Sequence, residues 1–279
     1  MNSVEWLVRC LSKFGELFWS EAGIRTRNQF RSLEEDNWKG AFSVFLEAFA
    51  FERAGRSPHY SPAAIRALNK YQKESPAEDF EIFMWNEFSS NIENTNKRNN
   101  PIAPSSERSI SLTVLISTLQ KYNFNIIKWA HEMIEKGCIK STYNDLCSVR
   151  GIGSKITSLF LRDIVIAFNV DESKCERAEY FQPIDRWTRR GSETLSKLFG
   201  KEPPKNDKES ATRIVEISKN AGVSSALVNT GLWMFGAQFV RSERGFQELL
   251  SDPKKMKEYL LRKKKELNAQ ICFIDQILK

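Results

Sequence analysis

Histidine is nearly missing from this 279-residue sequence: only His59 and His131 occur. A serine–histidine–carboxylate triad or a histidine-rich metal site is therefore not expected. The five cysteines, at 10, 138, 147, 175 and 272, are scattered and odd in number. No CxxC pair or tight four-cysteine cluster exists, so neither a zinc nor an iron–sulfur site is written here. Reduced thiols in a cytoplasmic protein are the simplest expectation, with no metal and no cofactor. Long apolar runs are missing too. The longest candidate, Ile156 to Val170, is interrupted by Arg162 and Asp163, so no membrane span or membrane partner is expected. Glu5 and Arg9 stand inside the apolar pattern of the N-terminus. That stretch reads as an amphipathic helix, not a signal peptide. No alternating β segment longer than four residues and no fixed-period repeat is found.

What is present is core material and unevenly placed charge. Apolar residues make up 41%, with 19 Phe and 7 Trp, which excludes global disorder. The net charge of +7 lies wholly in one part of the chain: residues 1–100 carry 13 basic and 14 acidic side chains, residues 101–279 carry 29 and 21. A basic region can bind nucleic acid, an anionic surface or an acidic protein, or serve solubility alone.

Helical spacing runs almost throughout. Val4, Leu7, Val8, Leu11, Phe14 and Phe18 recur three and four apart, as do Phe42, Phe45, Leu46 and Phe49. Ser61-Pro62 is expected to open a helix, with serine as cap and proline in its first turn. Further helices are expected at about 80–92, 109–121, 123–136, 141–148, 154–169, 185–199, 208–220, 223–240 and 253–278. Residues 93–108, 170–183 and 203–207 read as irregular connections. The expected class is all-α.

The most informative segment is Leu146-Cys147-Ser148-Val149-Arg150-Gly151-Ile152-Gly153-Ser154-Lys155. Two glycines flank one apolar residue between two short helices. Gly151 and Gly153 permit unusual backbone angles and close approach of a partner. Ile152 can drop into the core and fix the turn. The helix opening at Ser154 then offers free backbone N–H groups and its positive dipole end, a phosphate site that reads no base. An ordinary glycine-rich helix–helix turn has the same pattern. A nucleotide-binding glycine loop does not fit, since GxGxxG spacing and a βαβ context are absent.

The hairpin is followed by Gln182-Pro183-Ile184-Asp185-Arg186-Trp187-Thr188-Arg189-Arg190. Pro183 biases its predecessor away from helix, and Asp185 suits an N-cap. Hairpin and Pro-apolar-Asp in this order resemble the helix-hairpin-helix base-excision DNA glycosylases, most closely the 8-oxoguanine glycosylases of the archaeal-type branches. The resemblance is specific over about 141–190. It implies a two-lobed helical glycosylase fold without an iron–sulfur cluster: a central lobe 60–170 ending in the hairpin (141–169), a discontinuous lobe 1–59 plus 171–279, and the active site between them. It implies Lys155 as the nucleophile of a glycosylase with β-lyase activity and Asp185 as the essential carboxylate. As a nucleophile at neutral pH, Lys155 would need its pKa lowered by partial burial.

Duplex DNA with a damaged or modified base is the partner this implies. Arg150, Gly151, Ile152, Gly153, Ser154, Arg186, Arg189 and Arg190 are candidate DNA contacts. Phe181, Trp187 and Trp233 are candidate walls of a pocket for the flipped base, and each also suits a core. The turn Arg56–Tyr60 is a candidate wedge for the vacated stack. A monomer located in the cytoplasm, on the nucleoid in a bacterium, is expected. The sequence departs from the family pattern in three places. Thirty positions separate Lys155 from Asp185, Trp187 stands where many relatives have His, and Thr157 stands where Ala is common. Three other readings remain open: a monofunctional glycosylase in which Asp185 activates water, one acting on a hypermodified phage base in a defence role, and a non-catalytic hairpin DNA-binding protein. The lysine-rich run 254–265 suits a solvated helix face or phosphate contact.

Overall fold

The computed structural model describes residues 3–21, 23–32, 37–51, 57–73, 79–91, 125–149 and 152–277. No strand occurs among them, and the protein is all-α. The α-helices are α1 (Ser3–Ser20), α2 (Ile24–Ser32), α3 (Trp38–Phe45), α4 (Ser57–Lys70), α5 (Phe80–Asn91), α6 (Ile126–Glu135), α7 (Ile139–Ser148), α8 (Ser154–Phe168), α9 (Arg186–Leu198), α10 (Asp207–Ala221), α11 (Ser225–Met234), α12 (Glu243–Ser251) and α13 (Pro253–Ile277). Short π-helical turns follow α3 and α11, at Leu46–Ala50 and Phe235–Val240. The expected helix 109–121 and the connection 93–108 lie outside the described residues. So do Arg56, Arg150 and Gly151 and the side chains of Ser57, Pro58 and His59.

The chain divides into two compact units, 1–18 with 184–279 and 19–183. The boundaries differ from the expected 60 and 170. Residues 24–32 and 178–181 pack on α8, the second helix of the hairpin, so both flanks join the unit that holds the hairpin.

In the unit 19–183, α8 is buried almost all round, which explains its long apolar run. Phe160 on α8 meets Phe45 and Phe49 edge-on, each at 5.1 Å between ring centroids, with Phe30 at 6.3 Å. Removing such a ring typically costs about 3–5 kcal/mol, so this cluster pins the helix that carries the hairpin. The Arg162 and Asp163 that break the apolar run are buried, and Arg162 Nη2 donates to Asp163 Oδ1 at 2.8 Å. The pairing answers the desolvation cost of two charges in a core. α8 ends at Asn169, whose left-handed backbone (φ 53°) lets Val170 N donate to the Val165 carbonyl at 2.9 Å. Past it, the irregular stretch holds two short 3-10 turns, Glu172–Lys174 and Ala178–Phe181.

One helix start is corrected. α4 begins at Ser57, and Pro62 lies inside it. The Ser61 hydroxyl donates to the Leu46 carbonyl at 2.7 Å. This tertiary bond occupies the group that the local pattern assigned to capping.

In the other unit, α1 and α9 to α13 enclose Leu7, Leu11, Leu195, Ile214, Leu232, Phe235 and Phe246. Close helix packing depends on glycines here. A Cβ on Gly15 would collide with the Leu227 carbonyl, and one on Gly231 with the Leu11 carbonyl. A Cβ on Gly236 would stand 2.5 Å from the Trp187 ring.

Candidate nucleic-acid interface

The hairpin is built by α7 and α8. α7 closes at Val149, whose extended backbone (φ −72°, ψ 116°) leads the chain away. Val149 N donates to the Leu146 carbonyl at 3.2 Å, and Ile152 N to the Val149 carbonyl at 2.9 Å. Ile152 is only 3% exposed and fills the angle between the helices. Gly153 follows with φ −88° and ψ 176°, a conformation open to any residue. It is exposed, and a Cβ on it would meet nothing within 4 Å. The fold therefore does not require glycine at 153. What a side chain there would obstruct is an outside group approaching the start of α8.

That helix start has no side-chain cap among the described residues. The helices opened by Asn125, Asp185, Asn206, Ser224 and Ser242 each have a side-chain oxygen on a first-turn N–H. At α8 the first intrahelical bond runs from Thr157 N to the Gly153 carbonyl at 3.0 Å. The amides before it are oriented to receive an acceptor at the positive end of the helix.

Ser154 and Lys155 are exposed. The partial burial that a nucleophilic Lys155 would need is thus not found. Burial along α8 begins only at Ile156, after these two residues. Behind the turn is a group that the motif does not reveal. The Cys147 thiol donates to Thr157 Oγ1 at 3.4 Å. The phenol of Tyr143 bonds to Ser154 and Cys147, and burial, reinforced by Cys147, pushes its pKa up to about 12. The Tyr180 ring packs on Tyr143 at 4.6 Å, and the Arg177 guanidinium lies over Tyr180 at 4.9 Å. The i, i+4 spacing of Tyr143 and Cys147 is the one sequence signal for this cluster. Thr157 has its role here as the thiol's acceptor.

Asp185 belongs to the other unit. It is half-buried and caps α9: Oδ1 accepts from Trp187 N and Thr188 N, both at 2.9 Å, while Asp185 N donates to Thr188 Oγ1 at 2.8 Å. This is a reciprocal capping box. The structural use of Asp185 is therefore real, and it engages one carboxylate oxygen.

The three arginines of α9 are exposed but paired. Arg189 binds Asp207 at 2.5 Å, Arg190 binds Glu193 at 3.0 Å, and Arg186 lies 3.8 Å from Glu243 and 4.9 Å over the Trp187 ring. Exposed pairs contribute only about 0–1 kcal/mol each and yield easily to a phosphate. Two candidate pocket walls are core residues instead. Phe181 is fully buried, and Trp187 is 3% exposed, pressed against Gly236 and edge-on to Phe246 at 5.4 Å. Trp233 is half-buried, edge-on to Phe18 at 5.6 Å. Tyr60, from the candidate wedge, is buried.

Among the described residues, no group of three or more metal-ligating side chains forms and no helix is long and apolar enough to cross a membrane. No protein-family profile matches the chain, and no solved structure matches it. An uncharacterised protein of Methanocaldococcus jannaschii, MJECL21, is 36% identical over 88 residues, which cover 32% of this chain. The chain spans about a fifth of that relative's length (19%).

Proposed function

We propose that this protein is a helix-hairpin-helix DNA glycosylase that excises a damaged or modified base, with oxidised purines such as 8-oxoguanine as the first class to test. The observation that supports this most is the hairpin turn. An exposed Gly153 with empty surroundings is followed by an uncapped helix start and an exposed Lys155. This suits close approach of a backbone phosphate. The base would be rotated out of the stack. As the N-glycosidic bond breaks, the bonding pair leaves with the base, which takes a proton, and positive charge develops on the sugar. The Asp185 carboxylate would stabilise that charge. In the bifunctional form, Lys155 Nζ bonds to C1′ and loses a proton, giving a Schiff base from which the 3′ phosphate is eliminated.

The exposure of Lys155 favours a second version, in which the reaction is monofunctional. There Asp185 takes a proton from water as its oxygen bonds to C1′, and Lys155 serves as a phosphate contact. A repair role in the cytoplasm or on the nucleoid accompanies either version. Borohydride trapping on lesion duplexes separates them. A covalent adduct in the wild type that is lost in Lys155→Gln supports the lyase. Free base with an intact abasic strand and no adduct supports the hydrolytic form. No base release from 8-oxoguanine, uracil, alkylated purine or hypermodified phage duplexes sinks the glycosylase reading and leaves a DNA-binding protein.

A further inference from the structure

The first half of α13 carries cations that no carboxylate among the described residues answers. Residues 253–266 hold Lys254, Lys255, Lys257, Arg262, Lys263, Lys264 and Lys265 against Glu258 and Glu266. Lys263 binds Glu266 at 2.6 Å, and Arg262 lies over the Tyr259 ring and 3.9 Å from Glu266. Lys254, Lys255, Lys257, Lys264 and Lys265 are exposed and make no ion pair among the described residues. The contrast is with Arg186, Arg189 and Arg190, each held by a carboxylate.

Helical geometry sets four of these five on one face. At about 100° per residue, Lys254, Lys257, Lys264 and Lys265 fall within roughly a 100° arc, over an axial length of about 16 Å. A duplex carries one phosphate charge per about 1.7 Å of axis, so a stripe of this length runs beside about ten phosphates. The helix is also fixed. The Asp252 carboxylate accepts from Lys254 N and Lys255 N at 3.0 and 3.2 Å, and Met256 is buried with Tyr259 and Leu260 packed on the same core. That packing argues against a lipid surface. An interfacial helix sinks its apolar side into the bilayer, and in these turns Met256, Tyr259 and Leu260 are turned to the protein's own core. What faces outward is ammonium charge around one exposed apolar side chain, Leu261.

We infer that the lysine face of α13 is a second duplex-DNA surface, which tracks the phosphate backbone without reading sequence. It rests on the DNA partner of the glycosylase reading, but not on any catalysis. The test uses the full chain with unmodified duplex, followed by fluorescence anisotropy over a range of salt. Changing Lys254, Lys257, Lys264 and Lys265 to Gln together should lower affinity at least tenfold at low salt. The slope of log K against log salt should shrink by about 3–4, near 0.9 for each phosphate no longer neutralised. The matching four-Lys→Arg protein should keep the wild-type slope. A Gln variant with the wild-type slope overturns the inference, and so does one that loses only binding to phosphatidylserine vesicles. If the slope shrinks as expected while the wild type releases no base from any lesion, this surface stands and the glycosylase reading falls.

Discussion

Gly15 and Gly231 face each other where α1 crosses α11: a Cβ on Gly231 would stand 3.3 Å from Gly15 N, and it would collide with the Leu11 carbonyl on the same helix. Two competing effects bear on Gly231→Ala. Helix propensity favours alanine by about 1 kcal/mol. Overpacking against backbone costs about 1–3 kcal/mol or more, because a carbonyl cannot rotate aside as a side chain can. The clash should win, and urea unfolding should show a loss of about 2 kcal/mol. An unchanged midpoint would mean that the helices do not approach this closely.

Gly153→Ala should behave in the opposite way. Its backbone conformation is ordinary and its surroundings are open, so the thermal midpoint should stay within about 2 °C of the wild type or rise. Duplex affinity should nevertheless fall about tenfold, since the added methyl stands where a phosphate would approach. Equal affinity in the two proteins would assign Gly153 no part in binding.

Asp185 permits a clean separation of cap from chemistry. Asparagine caps a helix as well as aspartate does, and the two N–H groups on Oδ1 would keep their acceptor. Asp185→Asn should therefore retain stability while base release falls by two orders of magnitude or more. Asp185→Ala should lose activity and also about 1 kcal/mol of stability. Base release by Asp185→Asn at the wild-type rate would leave only the capping role.

Tyr143 predicts an alkaline effect. Its phenol ionises at about 12 in the folded protein because burial, reinforced by Cys147, disfavours the phenolate; an unfolded tyrosine ionises near 10. Folding thus favours the protonated phenol. Its stabilising share is complete below about pH 10 and fades as pH rises toward about 12. In Tyr143→Phe that loss should be missing, so the stability gap between the two proteins should change over this interval. A phenolate titrating near 10 in the difference absorbance of the two proteins would contradict the burial.

Most of the helices are legible because three- and four-residue spacing is local, and the cap at Asp185 is legible because Pro183 and Ile184 precede it. The sequence pattern is silent wherever the partner is distant. Gly15 and Gly231 read as helix-weakening residues until their helices meet. Trp187 reads equally as a pocket wall or as core, and Gly236, which makes room for its ring, decides for core. Lys155 has the residue type a nucleophile needs, but its exposure depends on which side of α8 the core covers, and no motif encodes that. The start of α4 escapes the local pattern for the same reason: the Ser61 hydroxyl goes to Leu46, which lies in another helical segment.

The crossing of α1 and α11 also has a consequence in time. Leu7, Leu11 and Phe14 are made more than two hundred positions ahead of Val228 and Leu232, which enclose them. At roughly 5–20 residues per second, α1 waits about 10–40 s with its apolar stripe uncovered. Over the same interval all of residues 19–183 leave the ribosome as a contiguous stretch. The unit assembled from two distant stretches, 1–18 and 184–279, is the one that nascent-chain binders have the longer opportunity to hold.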